Sequence, residues 1–218
     1  MAYKAIIAGA SGLIGSKLVE ILLTSPEYDE VVILVRKTTG LQHKKLIEIV
    51  IDFDRLEEYK EQINGHAVFC CLGTTNNKTP DKAVYRKIDH YYPIMLAKFA
   101  LANHVGQYHL VSSLGANSKS AAFYTKLKGE TEDDIKAAGL KTLHIYQPSF
   151  LTGDRKEFRL IEKIIIPLWY VIDPLLFGNL KKYRSIPAKP VAMAMYKQSI
   201  INNGGVFTYP SDKIKQLA

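Results

Sequence analysis

The chain has 218 residues, enough for one sizeable core and too few for two comfortable domains. With 47% hydrophobic and 23% charged residues it has the balance of a globular domain, which excludes fibrous and disordered classes. Lys and Arg number 29 against 21 Asp and Glu, and this +8 surplus suits an anionic ligand such as a phosphate or nucleotide. No basic tract with interleaved aromatics accompanies it, so no nucleic-acid partner is expected.

In chain order the elements alternate. "YKAIIAG" is a short apolar strand ending in glycine, and "SGLIGSKLVEILLTS" has helical spacing, with Ile14, Leu18 and Leu22 on one stripe. "EVVILVR" and "LIEIVID" read as strands, "DRLEEYKEQIN" as a short polar helix, and "AVFCCLG" as another buried strand. A long helical region runs from about Asp81 to His104, with a kink expected at Pro93. "QYHLVSS" is a strand, a helix follows to Ala138, and "KTLHIYQP" is a further strand. Repeated β-α units predict an α/β fold: a doubly wound parallel sheet in a single domain spanning residues 1–218. Beyond Pro148 the regularity weakens. An apolar helical segment, "RKEFRLIEKIIIPLWYVIDPLLFG", and a final amphipathic helix, "KPVAMAMYKQSIINNG", are assigned to the substrate side, residues 149–218.

Cys70 and Cys71 are adjacent and point to opposite faces of a strand, so they form no bridge and suggest a reducing compartment. The start is too soon glycine-rich for a signal peptide. The apolar run from Ile164 to Phe177 is 14 residues long with Asp173 and two prolines, against about 20 for a span. No integral membrane segment and a cytoplasmic location are therefore expected. The histidines at 43, 66, 90, 104, 109 and 144 lack ligand spacing, so no metal is expected.

Between the first strand and helix stands "GASGLIG". Gly9 permits a tight turn, Gly12 lets backbone approach a pyrophosphate, and Gly15 lets helix pack on strand. Ser11, Leu13 and Ile14 complete a turn whose helix N-terminus favours an anion. The G-x-x-G-x-x-G spacing is that of the short-chain reductase type of site. At the end of strand two, "ILVRK" offers Arg36 and Lys37 where a carboxylate would select NAD, so NADP is favoured and NAD is the alternative. Asp52 and Phe53 end the third strand, where a polar contact and an aromatic edge would hold adenine. Leu72, Gly73, Thr74 and Thr75 end the fourth, where backbone passes the cofactor ribose.

Ser112 and Ser113 sit at the carboxyl end of the fifth strand, eleven residues before Tyr124 in the latter's case, and Lys128 follows Tyr124 by one helical turn. Reduction of a carbonyl needs a proton donor, and a free phenol, titrating near pH ~10, donates poorly at neutrality. A neighbouring ammonium favours the phenolate, and a serine hydroxyl can hold the carbonyl oxygen. Tyr-x-x-x-Lys alone is usually surface decoration; after Ser-Ser on a strand and a dinucleotide turn it reads as a proton-transfer device.

With these residues the chain resembles an atypical short-chain dehydrogenase/reductase. "CLGTT", "SSLGANSKSAAFYTKLKGETE" and "YQPSFLTGDR" resemble the Tat-interacting-protein oxidoreductase-like group. The resemblance implies a Rossmann fold, NADP(H), and a Ser113–Tyr124–Lys128 site. It further implies Lys128 on the nicotinamide ribose and Pro148 against the nicotinamide, with Asp89 where relatives often place a relay asparagine. The expected function is an NADP-dependent oxidoreductase acting on a small carbonyl or alcohol. A second reading is an NADPH-binding regulator with a protein partner and no turnover; a third is a sugar-nucleotide epimerase or dehydratase relative. Phe158, Trp169, Tyr170 and Phe177 line or cover the substrate pocket, or else form core or a homodimer surface, and Arg155 and Arg159 could meet an acidic group.

Overall fold

A computed structural model describes residues 3–152 and 178–218. Strands β1 (Tyr3–Ala8), β2 (Tyr28–Val35), β3 (Leu46–Val50), β4 (Ala67–Cys70), β5 (Gln107–Val111), β6 (Thr142–Gln147) and β9 (Gly205–Pro210) form one sheet. Its order is β3-β2-β1-β4-β5-β6-β9, and every neighbouring pair is parallel. Leu151–Thr152 (β7) and Ile186–Pro187 (β8) make a separate small ladder. Helices α1 (Leu13–Thr24), α2 (Lys82–Arg86), α3 (Tyr92–Ala102) and α4 (Phe123–Ala137) provide the crossovers, and helices at Ala188–Ser199 and Ser211–Leu217 follow.

The uninterrupted apolar runs of β1 and β2 have this pattern because both sheet faces are covered. Ala5 and Ile7 enter the core under α1 and the Ala188–Ser199 helix, while Ile6 and Ala8 enter the core under α3. Each isoleucine is fully buried, which contributes about 1.5–3 kcal/mol by area. Cys70 and Cys71 are free and divide between the two cores, as adjacent strand residues must.

Two expectations are corrected and one, the short polar helix, is refined in type. The irregularity expected at Pro93 does not fall on that residue, which stands in the first turn of α3. The break falls earlier, where Lys87–Tyr91 winds as one π-helical turn. "DRLEEYKEQIN" is a 3-10 helix, Phe53–Gln62, opened by the Asp52 side chain. The Ala188–Ser199 helix is not the last element: β9 follows and pairs with β6. The apolar segment 155–177, with Phe158, Trp169, Tyr170, Phe177, Arg155 and Arg159, lies outside the described residues. Among the described residues no helix is long and apolar enough to cross a membrane.

Strand order reverses between β1 and β4, and a crevice opens there at the carboxyl ends of the strands. The glycine turn after β1 abuts the loop after β4, since a Cβ on Gly9 would meet the Cys71 carbonyl.

Candidate active site

The turn after β1 is built by close approach. Gly9 has φ +87°, and a Cβ on it would lie 2.5 Å from the Cys71 carbonyl oxygen. A Cβ on Gly15 would lie 2.2 Å from the Gly9 carbonyl oxygen, so only glycine lets α1 seat on the turn. The Gly9 carbonyl accepts from the Gly12 N–H at 3.0 Å, closing the loop. Gly12 caps α1 without a side chain, and the first turn holds no acidic residue, so its positive end is left for an anion. Ser11 and Gly12 are exposed and Leu13 is half-buried, whereas the Ile14 side chain is core and can offer a ligand only its backbone.

Around the crevice the expected cofactor residues fare differently. Arg36 and Lys37 are exposed just past β2. Asp52 is exposed, with Oδ1 accepting from the Asp54 N–H at 2.9 Å. Phe53 is corrected as an aromatic edge for adenine: its ring is buried and packs at 5.4 Å on Tyr92. Ser112 is corrected as a cofactor contact, because its buried hydroxyl donates to Glu132, which also accepts from Gln147 at 2.9 and 3.0 Å. That cluster fastens α4 to β5 and β6. Leu72 packs at the edge of the α3 core, and Gly73 is exposed. Pro148 accepts from the Leu114 N–H at 2.9 Å, joining the loops after β5 and β6.

Tyr124 and Ser113 converge. Both line a cavity of about 750 Å³, together with Thr74, Thr75, Leu114 and Phe150. The Ser113 hydroxyl donates only to the adjacent Leu114 carbonyl, at 3.3 Å, a contact easily exchanged for a ligand. Tyr124 is 42% exposed at the cavity. Its helix is held by Gly129, where a Cβ would lie 2.1 Å from the Ser118 nitrogen, and by the Asn117 N–H, which donates to the Thr125 carbonyl at 2.9 Å.

Beneath them lies a buried charge pair. Lys128 Nζ is 2.8 Å from Asp89 Oδ1, and the side chains are 8% and 1% exposed. Burial alone would lower the lysine pKa; the Asp89 carboxylate outweighs it and holds the ammonium above the usual lysine range. Asp89 Oδ2 accepts from the Thr74 N–H at 2.8 Å, and the Asp89 carbonyl accepts from Thr131 Oγ1 at 3.1 Å. Asp89 thereby ties three elements together: the β4 loop, the π-turn and α4. A Cβ on Gly73 would be 3.6 Å from Asp89 Oδ1 and 3.9 Å from Lys128 Nζ, so the pair reaches the β4 loop. The π-turn makes this possible by rotating Asp89 inward, and such bulges recur at functional sites. Asp89 was legible in the sequence only as a departure from asparagine. Asn76, Asn77, Lys82 and Tyr85 also line the cavity, and nothing in the sequence marked them.

A family model described as NAD(P)H-binding matches residues 9–164. The chain is 32% identical over 157 residues to Protein HTATIP2 of Rattus norvegicus, covering 70% of this chain but only 64% of that protein. To Protein FMP52, mitochondrial, of Candida albicans it is 34% identical over 156 residues, 69% of this chain and 68% of that one. To the Coccidioides immitis protein of the same name it is 29% identical over 225 residues, covering 97% and 92%. The relatives named mitochondrial span several fungi and overturn the expectation of a cytoplasmic location. Among solved structures, the Bordetella bronchiseptica enzyme WbmH in complex with NAD+ superposes with a TM-score of 0.72 at 17% identity, covering 96% of this chain and 76% of that one. A UDP-N-acetylglucosamine 4-epimerase from Methanobrevibacter ruminantium gives 0.71 at 15% identity, covering 96% and 76%. At such identity these two show the Rossmann fold and nothing finer. The glycine turn, the parallel sheet and the family match together place this chain in the NAD(P)H-binding family, among the atypical short-chain dehydrogenase/reductase-like Rossmann proteins.

Proposed function

We propose that the protein is an NADP(H)-dependent oxidoreductase that interconverts a carbonyl and an alcohol through Ser113, Tyr124 and Lys128. The observation that carries this reading is convergence: Ser113 and Tyr124 line one cavity with Thr74, whose N–H is held by the same Asp89 that pairs with Lys128. The residues present fit the cofactor, because α1 begins at exposed Gly12 with no side-chain cap and no acidic residue in its first turn, leaving its N–H groups for a pyrophosphate. Gly9, Ser11, Gly12, Leu13, Ile14 and Gly15 would hold the pyrophosphate through backbone, and Leu72, Gly73, Thr74 and Thr75 would flank the ribose. Bound NADP(H) supplies or accepts the hydride.

The chain's own groups do the rest. Ser113 Oγ donates to the carbonyl oxygen and fixes it beside Tyr124. Tyr124 gives its phenolic proton to that oxygen as negative charge grows there. The Lys128 ammonium, kept charged by Asp89, stabilises the phenolate left behind and offers N–H donors to the ribose. Pro148 would wall the nicotinamide side. Asp89 leaves the usual asparagine relay without its amide, so proton resupply would run through solvent at the exposed Tyr124. For the cofactor, Arg36 favours a 2′-phosphate, although Asp52 stands close enough for both to act on Tyr92.

A screen of carbonyl compounds followed by NADPH absorbance, with Tyr124→Phe as control, tests the mechanism. Turnover that survives the loss of the phenol unchanged would refute it. A second reading is favoured by one observation: Lys128 is paired with Asp89, which offsets the charge that would otherwise serve Tyr124. An NADPH-binding regulator without turnover would show cofactor affinity and no reaction with any carbonyl.

A further inference from the structure

Three cations stand on α2 and at the start of the π-turn, and their surroundings differ. Arg86 pairs with Glu130 at 2.8 Å and Lys87 with Asp54 at 2.9 Å, and neither lines the cavity. Lys82 does line it, and among the described residues no carboxylate pairs with it. Its ammonium stands over the Phe123 ring, 5.6 Å from the centroid. The neighbouring carboxylate, Asp81, is taken up elsewhere, accepting from the Ala83 and Val84 N–H groups at 2.7 and 3.3 Å. Every other described residue lining the cavity is neutral.

The lining holds two kinds of group. Ser113 and Tyr124 serve the carbonyl of the reading above. Lys82 and the side-chain amides of Asn76 and Asn77 supply N–H donors to the same cavity. Aromatic walls accompany them, with Tyr85 edge-on to Phe123 at 5.5 Å. A cation beside low-dielectric walls, with no acidic group among the described lining residues, concentrates a field that attracts an anion. The aromatic walls ask for an apolar body, and a cavity of about 750 Å³ is of the size that accepts one.

We propose that this cavity selects carbonyl compounds bearing a carboxylate on an aryl or similarly apolar body, with Lys82 holding the carboxylate. The carbonyl requirement rests on the oxidoreductase reading; the anion requirement stands on Lys82 and the neutral lining.

The test separates the two. The protein loaded with NADP+ is titrated calorimetrically with 4-methylbenzoate and with 4-methylbenzamide, which differ in charge and cannot be reduced by hydride transfer. Wild type binds the carboxylate about fivefold tighter, the effect of a partly exposed ion pair of ~1 kcal/mol. Lys82→Gln erases the preference, Lys82→Glu reverses it, and Tyr124→Phe keeps it. Equal affinities in wild type, no binding of either probe, or a preference that persists in Lys82→Gln would each overturn the proposal. In parallel, NADPH oxidation is followed with 4-carboxybenzaldehyde and 4-methylbenzaldehyde. Absence of turnover with both, alongside a retained carboxylate preference in binding, would count against the oxidoreductase reading and leave the anion site standing.

Discussion

At the scale of single residues, the buried Asp89–Lys128 pair is where charge, packing and function meet. Two opposite charges at 2.8 Å with so little solvent contact are tolerable only together. Replacing Asp89 by Ala leaves an ammonium buried without a partner, and a loss of about 3–5 kcal/mol in urea unfolding is expected. The double variant Asp89→Ala with Lys128→Met should recover much of that loss, since it removes the orphaned charge as well as its partner. A double variant no more stable than Asp89→Ala would show that the pair does not act as a unit. Tyr124 is a different kind of residue: 42% exposed, it should contribute function and little stability. Tyr124→Phe is expected to slow turnover by about 10²–10⁴-fold while leaving NADPH affinity and melting temperature near those of wild type. A proportionate loss of affinity would assign the ring to binding instead.

At the scale of elements, neutral histidines form part of the sheet. Phe69, His109, His144 and Phe207 are directly opposite one another on β4, β5, β6 and β9, and their rings stack at 4.7, 4.5 and 5.1 Å. Burial pushes His109 well below the usual imidazole range and His144 down to about 4. Since the unfolded chain takes up these protons near pH ~6.5 and the folded one resists, stability is held above that pH and falls between about 6.5 and 4. For His144 alone the loss is on the order of 3 kcal/mol. His144→Phe should flatten this acid slope in urea titrations across that window; an unchanged slope would place the titrating group elsewhere. The same strands show what a sequence discloses. Continuous apolar runs made β1, β2 and β4 legible, because burial on both faces leaves a pattern with no polar gaps. β9 was not legible: "GVFTYP" is a sheet edge with only alternate residues covered, framed by glycine and proline. Nor could the π-turn be read, since one extra residue per turn leaves the helical stripe almost unchanged. Ser112 was misread for a related reason: neighbouring serines at a strand end look alike, and only the position of Glu132 sends one inward.

At the scale of the whole molecule, the seven-stranded parallel sheet reverses order between β1 and β4, and the cofactor residues proposed above come from the carboxyl ends of its strands, the loops that follow, the start of α1 and, for Lys128, α4. The glycine turn fixes that end. Gly15→Ala pushes a methyl group against the Gly9 carbonyl, and a loss of about 1–3 kcal/mol with weakened NADPH binding is expected in parallel thermal melts. Saturation with NADPH at a hundred times its dissociation constant should add about 2.7 kcal/mol, near 5–10 °C in melting temperature for a chain of this size. Stronger stabilisation by NADH would contradict the role given to Arg36. The account stands or falls on where the nicotinamide lies, and a crystal structure of the protein with NADPH measures that directly. The expected result is a nicotinamide beside Pro148, its ribose on Lys128, and its reactive carbon facing the space between Ser113 and Tyr124. A cofactor bound away from the glycine turn, or a Tyr124 hydroxyl directed into bulk water in the complex, would contradict it.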